Sequence, residues 1–358
     1  MKEIPTNLDK NIDIDFSDVL WNYSFDDHEK WWKENFKDPK FRLKQVQNWV
    51  YSQKTLNSDD MNNLPKGIKE KLNQIGNHKL ELTETQKAKD NSADKYLYNC
   101  PDGAKLESVL LRDGDRRTVC LSTQVGCPLA CVFCNTGLAG YKRNLSTAEI
   151  LEQVLHISKH EGQRISNIVV MGMGEPMLNY NSLMKALRQI NHEKGLGIGA
   201  RHITISTSGI KGTIKKLANE PEQWGLAVSL HAPNDELRTK LMPINKSLPL
   251  TNLMEEIRFY IEKTNRRVSF EYIMLGNENA EEEHAKQLAN ILKGMLCHVN
   301  LIPYNPVPSL PYEATDMSKI KRFQSIVQKA NIPCTIRVEK GQDILAACGQ
   351  LAHKKQAS

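Results

Sequence analysis

Residues 167–209 read NIVVMGMGEPMLNYNSLMKALRQINHEKGLGIGARHITISTSG. Asn167–Met171 is a short apolar run with β-branched residues, which predicts a buried strand. Gly172-Met173-Gly174-Glu175-Pro176 interrupts it, and Ser182–Asn191 then returns apolar residues at helical spacing. His202–Ser206 is a second strand-like run, followed by Thr207, Ser208 and Gly209. Strand, helix and strand in this order form a parallel crossover unit.

The same alternation extends both ways. Upstream, Thr118–Ser122 reads as a strand, and Ser146-Thr147-Ala148-Glu149 is a capping box opening a helix to about Lys159. Downstream lie a short helix near Gly212–Ala218 and a strand at Leu226–Leu230, then a helix at Leu253–Lys263 and a strand at Val268–Met274. A helix at Ala280–Lys293, a strand at His298–Ile302, a helix at Met317–Ala330 and a strand at Cys334–Val338 complete the series. About six such units fall short of the eight in a closed barrel. The expectation is therefore an α/β fold, a partial (β/α)6 barrel of TIM type over residues 118–340.

Ahead of it, FRLKQVQNWVYSQ and the helix after Pro65-Lys66-Gly67 predict a small N-terminal helical accessory domain over residues 41–82. Residues 83–117 start as a polar link and continue as two alternating runs flanking Pro101-Asp102-Gly103, a β-hairpin signal. Residues 1–40 are acidic and aromatic, with Trp21, Trp31 and Trp32 but no clear period, and receive no role. Residues 341–358 form a C-terminal segment.

The 358 residues, 40% hydrophobic and 25% charged, suit a soluble globular protein. No apolar run approaches the roughly 18 residues of a membrane span, and MKEIPTNLDKNIDID lacks a signal-peptide core. The expected location is cytoplasmic, where thiols stay reduced and clustered cysteines serve metal binding or catalysis. A net charge of +6 is compatible with a nucleic-acid partner without identifying one.

The loop QVGCPLACVFCNTGLAG, residues 124–140, carries Cys127, Cys131 and Cys134, three of the chain's eight cysteines. Such spacing would also place three residues on one helix face, but Gly126, Pro128, Gly137 and Gly140 argue for a loop. With no fourth Cys or His close by, a zinc site would lack its usual fourth ligand. On a four-iron cluster, three thiolates would leave one iron open. Further residues sit at the predicted strand ends. Gly172 and Gly174 allow a close backbone approach, with Glu175 as an acceptor; Ser206, Ser229-Leu230-His231 and Asn305 follow later strands. Met177 at the third glycine position rules out a dinucleotide fingerprint. Each alone reads as a turn, cap or structural residue; together they share one predicted face with the cysteine loop.

On these residues the chain resembles the radical S-adenosylmethionine (SAM) enzymes, marked by Cys-x3-Cys-x2-Cys. Within them it is similar to the RlmN/Cfr group of RNA adenine methyltransferases. The matching stretches are FRLKQVQNWVY, TVCLSTQVGCPLACVFCNTG, RNL, VVMGMGEPMLN, ITISTSG, SLHAPNDELR, LMPIN, VNLIPYNP and AACGQL, from about residue 41 onward. The resemblance implies a radical SAM barrel in which Cys127, Cys131 and Cys134 hold a [4Fe–4S] cluster. It implies SAM contacts from Gly174, Glu175, Ser206, Ser229, Leu230, His231 and Asn305. It also implies that Cys348 accepts a methyl group, that Cys120 is a second catalytic cysteine and that Glu107 is the proton acceptor.

The implied reaction methylates adenine C2, an electron-poor carbon that does not attack a sulfonium. One SAM methylates Cys348; a second yields a 5′-deoxyadenosyl radical that removes hydrogen from that methyl. The carbon radical joins the base, tethering RNA to Cys348, and loss of the C2 proton with attack by Cys120 releases product and leaves a Cys120–Cys348 disulfide bond. Implied partners are 23S rRNA at its peptidyl transferase centre, tRNA at an anticodon-loop adenosine, and an electron donor such as flavodoxin; no membrane is involved. Leu345, where related sequences often carry an acid, and Ser108, where threonine is common, depart from the pattern. Cys100, Cys297 and Cys334 read as small buried hydrophobes. Arg42, Lys44, Lys66, Lys69, Lys71 and the stretch Arg112–Arg117 are candidate phosphate contacts. The competing readings are methylation at adenine C8 and a non-catalytic RNA-binding or structural-metal protein on the same fold.

Overall fold

The computed structural model describes residues 19–75, 80–307, 310–338 and 340–351. Residues 1–18 of the expected extension and 352–358 of the C-terminal segment lie outside these.

The helical unit begins well before residue 41. Helices α1 (His28–Asn35), α2 (Lys40–Gln47) and α3 (Lys66–Ile75) pack together, and Trp21, Trp31 and Trp32 are all buried. Trp32 stacks on Phe36 at 4.2 Å between ring centroids, and Trp21 meets Tyr51 edge-on at 5.6 Å. Helix α1 buries His28, Trp31 and Trp32 on one face, and only the two tryptophans are apolar, so its sequence shows no clear apolar period. The unit is pinned to the barrel by Gln189, whose Nε2 donates to the carbonyls of Trp21 and Tyr23, each at 3.0 Å, while its Oε1 accepts from Tyr51 Oη at 2.7 Å.

Strands β1 (Glu81–Lys87), β2 (Ala93–Asn99) and β3 (Lys105–Asp113) form an antiparallel meander. Pro101-Asp102-Gly103 turns between β2 and β3, as the hairpin signal requires. Strand β1 occupies part of the expected polar link: it is an edge strand whose side chains are mostly solvated, which removes the apolar alternation.

Strand β4 (Arg116–Cys120) pairs antiparallel with β3 on one side and starts the parallel series on the other. A two-stranded sheet of β5 (Gln124–Gly126) and β6 (Tyr141–Asn144) follows, enclosing the cysteine loop and the one-turn helix α4 (Asn135–Leu138). The series continues with α5 (Thr147–Glu161), β7 (Asn167–Val170), α6 (Tyr180–Asn191), β8 (Ile203–Thr207), α7 (Thr213–Ala218) and β9 (Gly225–Ser229). After α8 (Asp235–Leu241) come α9 (Leu250–Thr264), β10 (Val268–Met274), α10 (Glu282–Ile291), β11 (Cys297–Pro303), α11 (Met317–Lys329) and β12 (Cys334–Ile336).

The strand order is β1-β2-β3-β4-β7-β8-β9-β10-β11-β12, parallel from β4 onward. Six crossovers link these parallel strands, and the sheet curls without closing. This is the expected partial barrel. The predicted capping box at Ser146 and Glu149 is present, and α5 ends on Gly162 at φ 69°, a left-handed position suited to glycine. Val228, Phe270, Val299 and Leu301 are fully buried in the main core, each such side chain contributing about 1.5–3 kcal/mol. A second apolar cluster, with Leu129, Phe133, Leu241, Met242 and Tyr304, lies beneath the cysteine loop.

Candidate active site

The cysteine loop owes its shape to a close backbone crossing. Gly126 has φ 77°, and a Cβ there would stand 1.8 Å from the Gly140 carbonyl oxygen; only glycine fits. From this crossing Cys127 N–H donates to Gly140 O at 3.0 Å, Val132 N–H to Leu241 O at 3.1 Å, and Cys134 N–H to Cys131 O at 3.1 Å. The three thiols thereby line one cavity of about 150 Å³. Burial pushes the Cys127 thiol up to about 12, and Cys131 is pushed up by burial and by its two neighbouring cysteines. Thiolates need neutralising there. Three soft ligands around one recess suit an iron–sulfur cluster with an open iron.

The same cavity is lined by Gly174, Glu175, Ser206, Ser229, His231 and Cys348, so most of the residues expected at the strand ends converge with the cysteines. Gly174 sits at φ 101°, and a Cβ there would meet Gln124 Cβ at 2.5 Å. Glu175 braces loops: its Oε1 accepts from Met177 N–H at 3.1 Å and Thr207 Oγ1 at 2.7 Å, and its Oε2 from Ser208 N–H at 2.9 Å. Burial raises its pKa, and these donors oppose the rise. His231 accepts from Ile273 N–H on Nδ1 at 3.0 Å, so the neutral ring carries its proton on Nε2. Burial holds its pKa down at about 3.

Leu230 and Asn305 are placed elsewhere. Leu230 is fully buried in the main core, away from the cavity lining. Asn305 faces a second, larger cavity of about 800 Å³ and accepts from Gln342 Nε2 at 2.6 Å. This cavity lies across the seam that the open sheet leaves, between Val109, Thr118 and Cys120 on one side and Thr335 and Arg337 on the other. Cys348 lines both cavities.

The C-terminal segment is stapled directly to the cysteine loop. Asn135 N–H donates to Gly349 O at 2.8 Å, Asn135 Nδ2 to Gln350 O at 3.2 Å, and Thr136 Oγ1 to Leu351 O. Burial, with Cys348 as the second cause, pushes the Cys120 thiol up to about 12. All eight cysteines are free thiols, and Cys100, Cys297 and Cys334 are buried as expected.

Glu107 is buried on β3, its Oε1 3.7 Å from Lys95 Nζ. Val109 stands opposite Cys120 in the β3–β4 register, so Glu107, two residues earlier, shares their sheet face, although it does not itself line either cavity. Two further site residues escaped the sequence reading. Glu271 on β10 lines the smaller cavity and accepts from Asn300 Nδ2 at 2.8 Å. Arg337, its Nε 3.4 Å from Glu271 Oε2, lines the larger one near both cysteines. The available signal was a carboxylate inside the apolar strand VSFEYIM.

The phosphate candidates divide. Arg112 pairs with Asp94 at 2.6 Å and Glu161 at 2.7 Å, and Arg117 with Glu161 at 2.6 Å, so this stretch is largely neutralised within the fold. Arg116 lines the large cavity. In the helical unit, Lys66 pairs with Glu70 at 3.6 Å, while Lys44 is exposed.

Residues 121–289 match the radical SAM superfamily, and residues 20–77 match a ribosomal RNA large subunit methyltransferase N-terminal domain. The chain is 47% identical over 341 residues to a probable dual-specificity RNA methyltransferase RlmN of Geobacillus kaustophilus, covering 94% of this chain and 93% of that one. The chain belongs to the RlmN family of radical SAM RNA methyltransferases. The RlmN relative from Halalkalibacterium halodurans is 43% identical over 359 residues, covering 99% of both chains. A crystal structure of a radical SAM methyltransferase from Sphaerobacter thermophilus, 40% identical, superposes with a TM-score of 0.90 over 93% of this chain and 98% of that one. As an RlmN-family enzyme the chain uses a [4Fe–4S] cluster and SAM and acts on RNA. Among the described residues no helix is long and apolar enough to cross a membrane.

Proposed function

We propose that this enzyme methylates C2 of an adenosine in 23S rRNA and of an anticodon-loop adenosine in tRNA, using Cys348 as methyl acceptor and Cys120 as the thiol that releases product. The observation that carries this reading is the position of Cys348, on the wall shared by the cysteine-lined cavity and the larger cavity containing Cys120. A group on that sulfur can face the SAM side for activation and the seam side for transfer to a base.

Cys127, Cys131 and Cys134 would hold the cluster, which together with SAM supplies the 5′-deoxyadenosyl radical for hydrogen removal. Gly174, Ser206, Ser229 and His231 surround the adjoining space, and the neutral His231 offers an N–H donor to an acceptor on the cofactor. Leu230 can contribute only its backbone, and Asn305 approaches from the seam side. Two SAM molecules serve each turnover, one for methyl transfer to Cys348 and one as radical source. Glu107, on the Cys120 face of the sheet, takes the C2 proton. Cys120 then attacks the Cys348 sulfur, forming a disulfide that a cellular thiol reductant reopens. A low-potential donor such as flavodoxin supplies the electron, in the cytoplasm.

Nucleoside mass spectrometry of separated rRNA and tRNA from a deletion strain tests this. Loss of 2-methyladenosine from both fractions is expected. Its persistence overturns the assignment, and loss of 8-methyladenosine instead places the activity at C8.

A further inference from the structure

Buried Arg143 comes with carboxylates, held by Asp102 at 2.9 Å and Glu149 at 2.8 Å, and half-buried Arg337 faces Glu271. Arg238 on α8 does not follow this pattern. It is 1% exposed, and its guanidinium donates only to neutral oxygens: Asn245 Oδ1 at 2.7 Å, Ser208 O at 2.6 Å, Ser229 O at 3.3 Å and Leu230 O at 3.3 Å. Among the described residues no carboxylate reaches it at ion-pair distance. The acid that influences it is Asp235, whose Oδ1 is already taken by Asn245 Nδ2 at 2.8 Å and Leu250 N–H at 2.8 Å. A full charge buried without a counter-ion is costly.

Its surroundings show what the charge faces. Ser208 and Ser229, whose carbonyls it holds, line the cysteine cavity. Leu241, at the end of the same helix, accepts from Val132 N–H between Cys131 and Cys134. Cys131 is the foremost negative influence on Arg238, and burial lowers the guanidinium pKa to about 10. The cation therefore stands directly behind the wall where the thiolates converge.

We propose that Arg238 is the fixed counter-charge of the iron–sulfur centre and sets its reduction potential. A four-iron cluster on three thiolates is already an anion, and reduction adds one more negative charge. A buried cation nearby favours the reduced form more than the oxidised one, through a medium that screens poorly. The electron comes from an external low-potential one-electron donor and stays on the cluster until SAM takes it. Arg238 makes that first transfer less uphill and also locks the ends of β8 and β9 in place.

The test is an anaerobic redox titration of the reconstituted full-length protein without SAM or RNA, followed by electron paramagnetic resonance of the reduced cluster. Because neither substrate is present, the outcome is independent of which adenine carbon or RNA is methylated. Arg238→Gln is expected to shift the one-electron equilibrium against reduction at least tenfold, about 59 mV more negative. Arg238→Lys keeps the charge but cannot reach all four acceptors, and is expected to stay within threefold of wild type. A Gln variant within twofold of wild type overturns the proposal, as does a Lys variant shifted as far as Gln, which marks a purely structural role. If the Gln variant takes up no iron, Asn245→Asp decides. It places a carboxylate against the intact guanidinium and is expected to lower the potential in the same sense; an unchanged potential overturns the proposal.

Discussion

Thr136→Val is the most direct probe of how Cys348 is held. The substitution keeps the shape of the side chain and deletes only the hydroxyl that donates to the Leu351 carbonyl. Both residues are buried, at 4% and 5% exposure, so the carbonyl is left without a donor in a place water reaches poorly. That costs about 1–3 kcal/mol. The loss falls on local docking of the C-terminal segment, whose undocked population rises about 5- to 150-fold. The segment keeps the two bonds from Asn135 and one from Gln350 Nε2 to the Pro306 carbonyl at 3.4 Å, so it remains mostly docked. Hydrogen exchange read by mass spectrometry should therefore accelerate over residues 345–351 while the barrel helices keep their protection and the melting midpoint stays nearly fixed. Adding Asn135→Ala should undock the segment enough to lower the S-methyl content of Cys348 in the purified protein. Unchanged exchange in the single variant, or acceleration spread across the barrel, would refute the staple.

Three further outcomes are expected. Burial holds the His28 pKa down at about 4, against about 6.5 in the unfolded chain, so the fold binds fewer protons than the unfolded state between these values. Stability is then fully present above pH 6.5 and lost as pH falls towards 4, by up to about 3 kcal/mol; urea midpoints should show His28→Phe abolishing this slope, and parallel wild-type and variant curves would count against it. Arg143→Met leaves the fully buried Glu149 without its cation and should destabilise the fold by about 3–5 kcal/mol in denaturant titrations, whereas a loss below about 1 kcal/mol is what an exposed pair would give. Arg116→Ala should reduce the slope of log affinity against log salt for RNA by about one; Arg112→Ala, whose charge Asp94 and Glu161 already neutralise, should leave that slope alone and lower stability instead.

Local chemistry was legible from residue order. The cysteine loop, the capping box at Ser146 and the turn at Pro101-Asp102-Gly103 each depend on residues close in sequence, and each is where its spacing put it. The barrel followed because every crossover repeats one pattern. What depended on alternation or long-range pairing was lost. Ser229 ends β9 and lines the cavity; past it the chain leaves the strand, Leu230 enters the core, and His231, at φ 58°, returns to the cavity. Asn305 lies beyond the end of β11, where the chain has already turned towards the seam. Arg337 and Arg238 gain meaning only from partners far away in sequence, and Glu271, though conspicuous as a carboxylate inside an apolar strand, meets Asn300 and Arg337 only in the fold. Strand β1, solvated at the sheet edge, and α1, whose buried face holds a histidine beside its two tryptophans, lacked the apolar periodicity by which such elements are read.

The unclosed sheet has a consequence for substrate size. A complete eight-stranded barrel admits its substrate through the mouth alone, which suits small molecules. Here the parallel series stops after seven strands, and the gap between β12 and the β3–β4 side of the sheet is a lateral doorway with a thiol on each side, Cys120 on the strand and Cys348 on the tail. A polymer far too large for the mouth can lie along the outside and pass in one everted base. By stopping short of closure, the fold turns a small-molecule container into a bench at which one letter of a long text can be altered.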